Sequence, residues 1–124
     1  MELREEVAKE MRLLRERAPE VSGSVACTVD GLMLACDGSD DTSERTSALA
    51  AAVLSLSRRM SEMAGRGVLE ETLMSGTAGF AAFYPAGPTI VLTVLAEPGT
   101  NLGLLRLEGR KTAAAVAALA SRNR

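Results

Sequence analysis

The stretch Thr42–Ala64 lies within the longest run free of glycine and proline and carries a helical pattern with three faces. At 100° per residue, Leu49, Val53, Leu56, Met60 and Met63 share one arc, spaced i, i+4, i+7, i+11, i+14, which predicts the stripe that faces the core. Arg58, Arg59 and Glu62 fall roughly opposite, on the expected solvent side. Between them runs a strip of Ser47, Ala50, Leu54, Ser57 and Ser61, small except for Leu54. A helix that covers only its own core needs one apolar stripe and one wet face, so the extra strip reads two ways. Alanine and serine fill surface positions cheaply, and a lone exposed leucine carries no information. Alternatively, small residues let a second backbone come close, with Leu54 as an apolar knob.

Around this helix the period changes several times. Leu3, Val7, Met11 and Leu14 line one face of a helix over residues 2–18, which Pro19 ends; Glu5–Lys9 and Arg12–Glu16 pair along the rest. Residues 23–36 alternate as a hairpin turning at Asp30-Gly31 in a type I′ turn, apolar on both sides, so both faces of its sheet should be covered. Asp41 and Glu44 form a capping box for the long helix, and Gly65 or Gly67 supplies its left-handed cap. Three strands follow: Val68–Ser75, Phe80–Tyr84 and Thr89–Ala96. The last is almost wholly apolar and β-branched, the pattern of a central strand; the first is polar enough for an edge that invites pairing with another chain. Pro98-Gly99 breaks the chain, Thr100 or Asn101 caps a final helix, and Leu102, Leu105, Thr112, Val116 and Leu119 form its apolar face. The order α-β-β-α-β-β-β-α predicts an α+β fold: a five-stranded antiparallel sheet with the long helix on one face and the two terminal helices on the other.

Composition narrows the function more than it defines it. The 124 residues suffice for one domain with a real core. A net charge of -2 and only three aromatics (Phe80, Phe83, Tyr84) argue against nucleic-acid binding, for want of a positive field and a stacking surface. No run reaches membrane-span length and the N-terminus is a charged helix, so a cytoplasmic protein without membrane insertion is expected. Cys27 and Cys36 share a face of the hairpin diagonally, roughly 7–8 Å apart or more, and are expected as reduced, buried thiols. The absence of histidine removes the commonest general base and metal ligand. Asp37, Asp40 and Asp41 lack the spacing of a calcium loop and serve better as helix-capping acids. The run Gly103–Thr112 has the wrong glycine spacing for a phosphate loop and falls inside a helix. No catalytic, cofactor or metal position is assigned, and a binding or regulatory module is expected rather than an enzyme.

Val29-Asp30-Gly31-Leu32-Met33-Leu34-Ala35 resembles the hairpin of the Roadblock/dynein light chain domain family. Asn101-Leu102-Gly103-Leu104-Leu105-Arg106 resembles the start of that family's last helix, and element order and length agree along residues 1–124. The resemblance implies a homodimer, or a heterodimer with a relative, in which the long helices pack side by side and the third strands join two sheets into one. It also implies, for bacterial members, regulation of a small Ras-like GTPase in signalling, polarity or motility, some as GTPase-activating proteins and others in modules with a sensor-kinase-like protein. Such regulators order the GTPase's own switch loops instead of donating a catalytic residue.

The expected twofold contact is Ser47, Ala50, Leu54, Ser57 and Ser61 together with Leu69, Glu71 and Leu73 of the edge strand. Arg58, Arg59 and Glu62 are expected to rim the GTPase-facing surface. A finger role for Arg58 or Arg59 is conceivable in principle, but a solvated helix arginine accounts for them. The competing readings are a structural adaptor bridging larger proteins, indifferent to bound nucleotide, and a small-ligand sensor, against which the low aromatic content speaks.

Overall fold

Along Ile90–Ala96, Ile90, Leu92, Val94 and Ala96 enter one apolar cluster while Val91 enters a second on the opposite face, and that division organises the molecule. The computed structural model describes residues 2–38 and 43–123. In chain order the elements are α1 (Leu3–Arg17), β1 (Val21–Thr28), β2 (Met33–Asp37), α2 (Ser43–Met63), β3 (Thr72–Gly76), β4 (Gly79–Ala86), β5 (Ile90–Ala96) and α3 (Leu102–Arg122). The strands form one antiparallel sheet in the order β2-β1-β5-β4-β3. The expected α+β architecture is therefore present, with β5 in the centre and β3 at an edge.

One face of the sheet carries the larger core. Ala26, Ala82, Tyr84, Leu92 and Val94 point there, against Val7, Met11 and Leu14 of α1 and Leu105, Val116 and Leu119 of α3. The other face is thinner: Cys27, Ala81, Phe83 and Val91 meet Ala50 and Leu54 of α2. Burial on both sides explains why β5 reads as a continuous apolar run.

The local signals that fix chain direction hold. Asn101 Oδ1 accepts from the Leu104 amide at 3.1 Å as the N-cap of α3. Gly65, at φ +66°, closes α2: its own N–H reaches Glu62 O and that of Arg66 reaches Ser61 O, the paired bonds of a Schellman cap. The expected capping acids Asp40 and Asp41 lie outside the described residues, while Asp37 pairs with Arg15 at 2.9 Å.

Two boundaries differ from the sequence reading. The hairpin turn is longer than two residues: β1 ends at Thr28 and β2 begins at Met33. A register shift after Ala26 sets Cys27 opposite Met33, not Leu34, while Val25 stays opposite Cys36. Cys27 is buried and Cys36 half-buried, and both are free. The third strand starts at Thr72 instead of Val68, because the chain before it is held by side chains and not by a ladder. Leu69 packs into the α2-side cluster and Glu71 turns to the arginines of α3.

Candidate protein-binding surface

The close approach of α2 to the sheet decides which of its faces is left over. The Cys27 thiol donates to Ser47 O at 3.5 Å, so the helix backbone comes down onto β1. At the turn beneath it, a Cβ on Gly31 would lie 3.2 Å from Ala48 Cα, and the φ of +86° there suits only glycine. So near a contact accommodates small side chains. Ser47, Ala50 and Leu54 are accordingly 1% exposed or less, and the Ser47 hydroxyl donates back to Ser43 O at 2.9 Å.

This reverses the faces expected of α2. The small strip faces the sheet, so Ser47, Ala50 and Leu54 have no surface to give a second chain. Leu49, Leu56, Met60 and Met63, expected in the core, are between 62% and 84% exposed. Val53 is half-buried beside them. Ser57 and Ser61 are half-buried on the flank, the Ser61 hydroxyl donating to Gly67 O at 2.8 Å. The helical period is the expected one, but the buried stripe is the small one, because the close helix–sheet contact leaves no room for the larger side chains.

What emerges is an apolar row with a seven-residue repeat. Leu49, Val53, Leu56, Met60 and Met63 alternate steps of four and three, the spacing of a seam that packs against another helix. The row lies on the sheet face where β3 also shows Met74 uncovered, because Met74 pairs with Ala81, whose side chain belongs to the α2-side cluster. Exposed apolar side chains in one contiguous row mark an interaction surface far better than scattered ones do.

The remaining predicted residues divide. Leu73 is exposed on β3, Leu69 is partly buried under α2, and Glu71 points away from the edge into α3. Arg58 and Glu62 line a groove of about 720 Å³ with Val68, Leu69, Pro85 and Gly87, between the far end of α2 and the β4–β5 turn. Arg58, Arg59 and Glu62 have no ion-pair partner among the described residues. Among the described residues no group of three or more His, Cys, Asp or Glu is placed to hold a metal ion, and no helix is long and apolar enough to cross a membrane.

The packing of Tyr84 against α3 has no counterpart in the sequence pattern, which shows the residue only as one of three aromatics in a strand. The ring lies under α3 at Gly109, where a Cβ would come within 2.6 Å of it. Burial pushes the phenol up to about 12, and the nearby Glu71 carboxylate adds to the rise against the opposing pull of Arg110 and Arg106. The Cys27 thiol is likewise raised by burial, against the hydrogen bond it makes to Ser47. Only the glycine in the middle of a helix hinted at such a contact.

Comparison with known proteins places the chain in a family. An uncharacterised protein of Methanocaldococcus jannaschii is 34% identical over 101 residues, covering 80% of this chain and 87% of the relative. A solved structure of MglB in a tetrameric arrangement superposes with a TM-score of 0.90 at 16% identity, covering 100% of this chain and 94% of the other. The gliding protein MglB of Thermus thermophilus gives 0.87 at 15% identity, covering 98% and 93%. At such identities these two structures attest to the shared fold. Residues 7–96 match the family model of the Roadblock/LC7 domain, and the chain belongs to that family.

Proposed function

We propose that residues 1–124 act as one Roadblock domain that pairs with a second copy of itself and regulates a small Ras-like GTPase in the cytoplasm, without catalytic groups of its own. The observation that carries the pairing is the exposed row Leu49–Val53–Leu56–Met60–Met63 beside the uncovered face of β3. Leaving four large apolar side chains in water is costly, at roughly 1.5–3 kcal/mol each if fully transferred. Two copies related by a twofold axis bury both rows at once, and the same axis lets Leu73 and its neighbours on β3 meet their counterparts edge to edge. The tetrameric arrangement of the structurally similar MglB supports association as a property of this fold.

The GTPase reading rests on the family resemblance and on the likeness to a gliding protein. Arg58, Arg59 and Glu62, on the flank of α2 away from that row and without an ion-pair partner among the described residues, are the proposed contacts to the partner, Arg58 and Glu62 lining the Val68–Pro85 groove. The same platform would be open to a sensor-kinase-like component of the module. The regulator is tested by mixing the purified chain with small GTPases from its own cell and following single-turnover GTP hydrolysis and nucleotide-dependent pull-down. Faster hydrolysis, or binding that distinguishes GTP from GDP, supports it. Binding indifferent to nucleotide would instead establish an adaptor that bridges larger proteins.

A further inference from the structure

Glu71 was expected at the contact between copies, and it is turned the other way. Its carboxylate joins two guanidinium groups one turn apart on α3: Arg106 Nε lies 2.5 Å from Oε2, and Arg110 Nε donates to Oε1 at 3.1 Å. The i,i+4 spacing puts both arginines on one side of the helix, so a single carboxylate satisfies both. The glutamate side chain is 14% exposed and the arginines about half, which spares the pair much of the screening a surface ion pair suffers.

The position of this clamp in the chain is what gives it consequence. Thr72, the next residue, begins β3. That strand has a neighbour on one side only, β4, and its residues from Leu73 to Gly76 are exposed. Side-chain burial therefore does little to hold it. On the opposite side of the clamp, α3 is seated firmly: the Tyr84 ring fills the space left by Gly109, adjacent to Arg110. A weakly held edge strand is thus moored to a well-seated helix through one side chain.

We propose that Glu71 is the positioning residue of the β3 edge: bound to Arg106 and Arg110, it fixes where the strand begins and so sets how tightly two copies pair along it. The second half of this statement rests on the dimer reading above; the first does not. Because Glu71 acts through the strand that follows it, its effect is local order at residues 72–76 and not direct contact with the partner.

Glu71→Gln keeps the shape and removes the charge. A variant combining Glu71→Arg with Arg106→Glu and Arg110→Glu restores the attraction with its signs exchanged. Hydrogen exchange is followed at a dilution where association is undetectable, and dimer dissociation is followed by sedimentation at higher concentration. In Glu71→Gln, exchange of the residue 72–76 amides that bond to β4 speeds up roughly tenfold and the dimer Kd rises roughly tenfold, while β5 amides keep their protection. The charge-exchanged variant recovers both. Unchanged exchange at 72–76 overturns the proposal. Equal acceleration in β5 also overturns it, since Glu71 would then support the fold in general, and so does a charge-exchanged variant that recovers nothing. A wild-type chain that never associates sinks the dimer reading alone, and the exchange arm still decides whether Glu71 positions β3.

Discussion

α2 and α3 are both 21 residues long and both lie on the same sheet, one per face, yet they use their apolar residues in opposite ways. α3 turns Leu105, Val116 and Leu119 inward and shows mostly Arg106, Arg110, Lys111 and small residues to solvent. α2 holds the sheet with Ser43, Ser47, Ala50, Ala51 and Leu54, all in its first twelve residues, and turns its larger apolar side chains out. The first helix is complete within one chain. The second leaves Leu49, Leu56, Met60 and Met63 exposed.

That contrast predicts opposite outcomes for neighbouring leucines. Leu54→Asp places a charge where α2 meets Cys27, Phe83 and Val91, and should cost about 4 kcal/mol of unfolding free energy, read by urea titration. Leu56→Asp, two residues on and exposed, should leave the fold within about 0.5 kcal/mol of wild type. It should nonetheless weaken association by about 3 kcal/mol, roughly a hundredfold in Kd by sedimentation. Leu107→Asp on α3, equally exposed but without a row around it, should change neither. An unaltered dimer after Leu56→Asp would mean that the row is not the seam.

Within α3 the tightest point is Gly109. Gly109→Ala drives a methyl group into the Tyr84 ring and should cost about 2 kcal/mol despite alanine's better helix propensity, because backbone and ring must both shift. The smallest effect concerns Tyr84 itself. Its folded value of about 12 lies above the ordinary 10.0, so above pH 10 the unfolded chain releases this proton first. Its contribution to stability is intact below pH 10 and is lost as pH rises toward 12. Tyr84→Phe should remove that alkaline slope while leaving stability near neutral pH little changed, as its hydroxyl has no hydrogen-bond partner.

The parts of this fold that could be read from the sequence are those whose signal is local. The Asn101 cap, the Gly65 cap and the apolar run of β5 each depend on residues within a few positions of one another. The faces of α2 could not be assigned the same way. Periodicity gives the angle between stripes, but only the distance to the sheet decides which stripe fits, and that distance is set by Gly31 and Cys27, far away in sequence. Glu71 was unreadable for the same reason, its arginines being 35 and 39 residues downstream. The stripe expected to be free on α2 is thus the one the sheet covers, and the stripe expected in the core is the one left bare. Arg59 and Glu62 are exposed and Arg58 half-buried, none with an ion-pair partner among the described residues, which is what a polar helical face provides by default.

The strand order has a consequence for how the protein is made. β1–β2 and β3–β4 leave the ribosome as two separate hairpins, and in the finished sheet they never touch; β5, last of the strands to be synthesised, is inserted between them and bonds to both. The two hairpins join only through β5, so the five-stranded sheet cannot close before Ala96 has been synthesised.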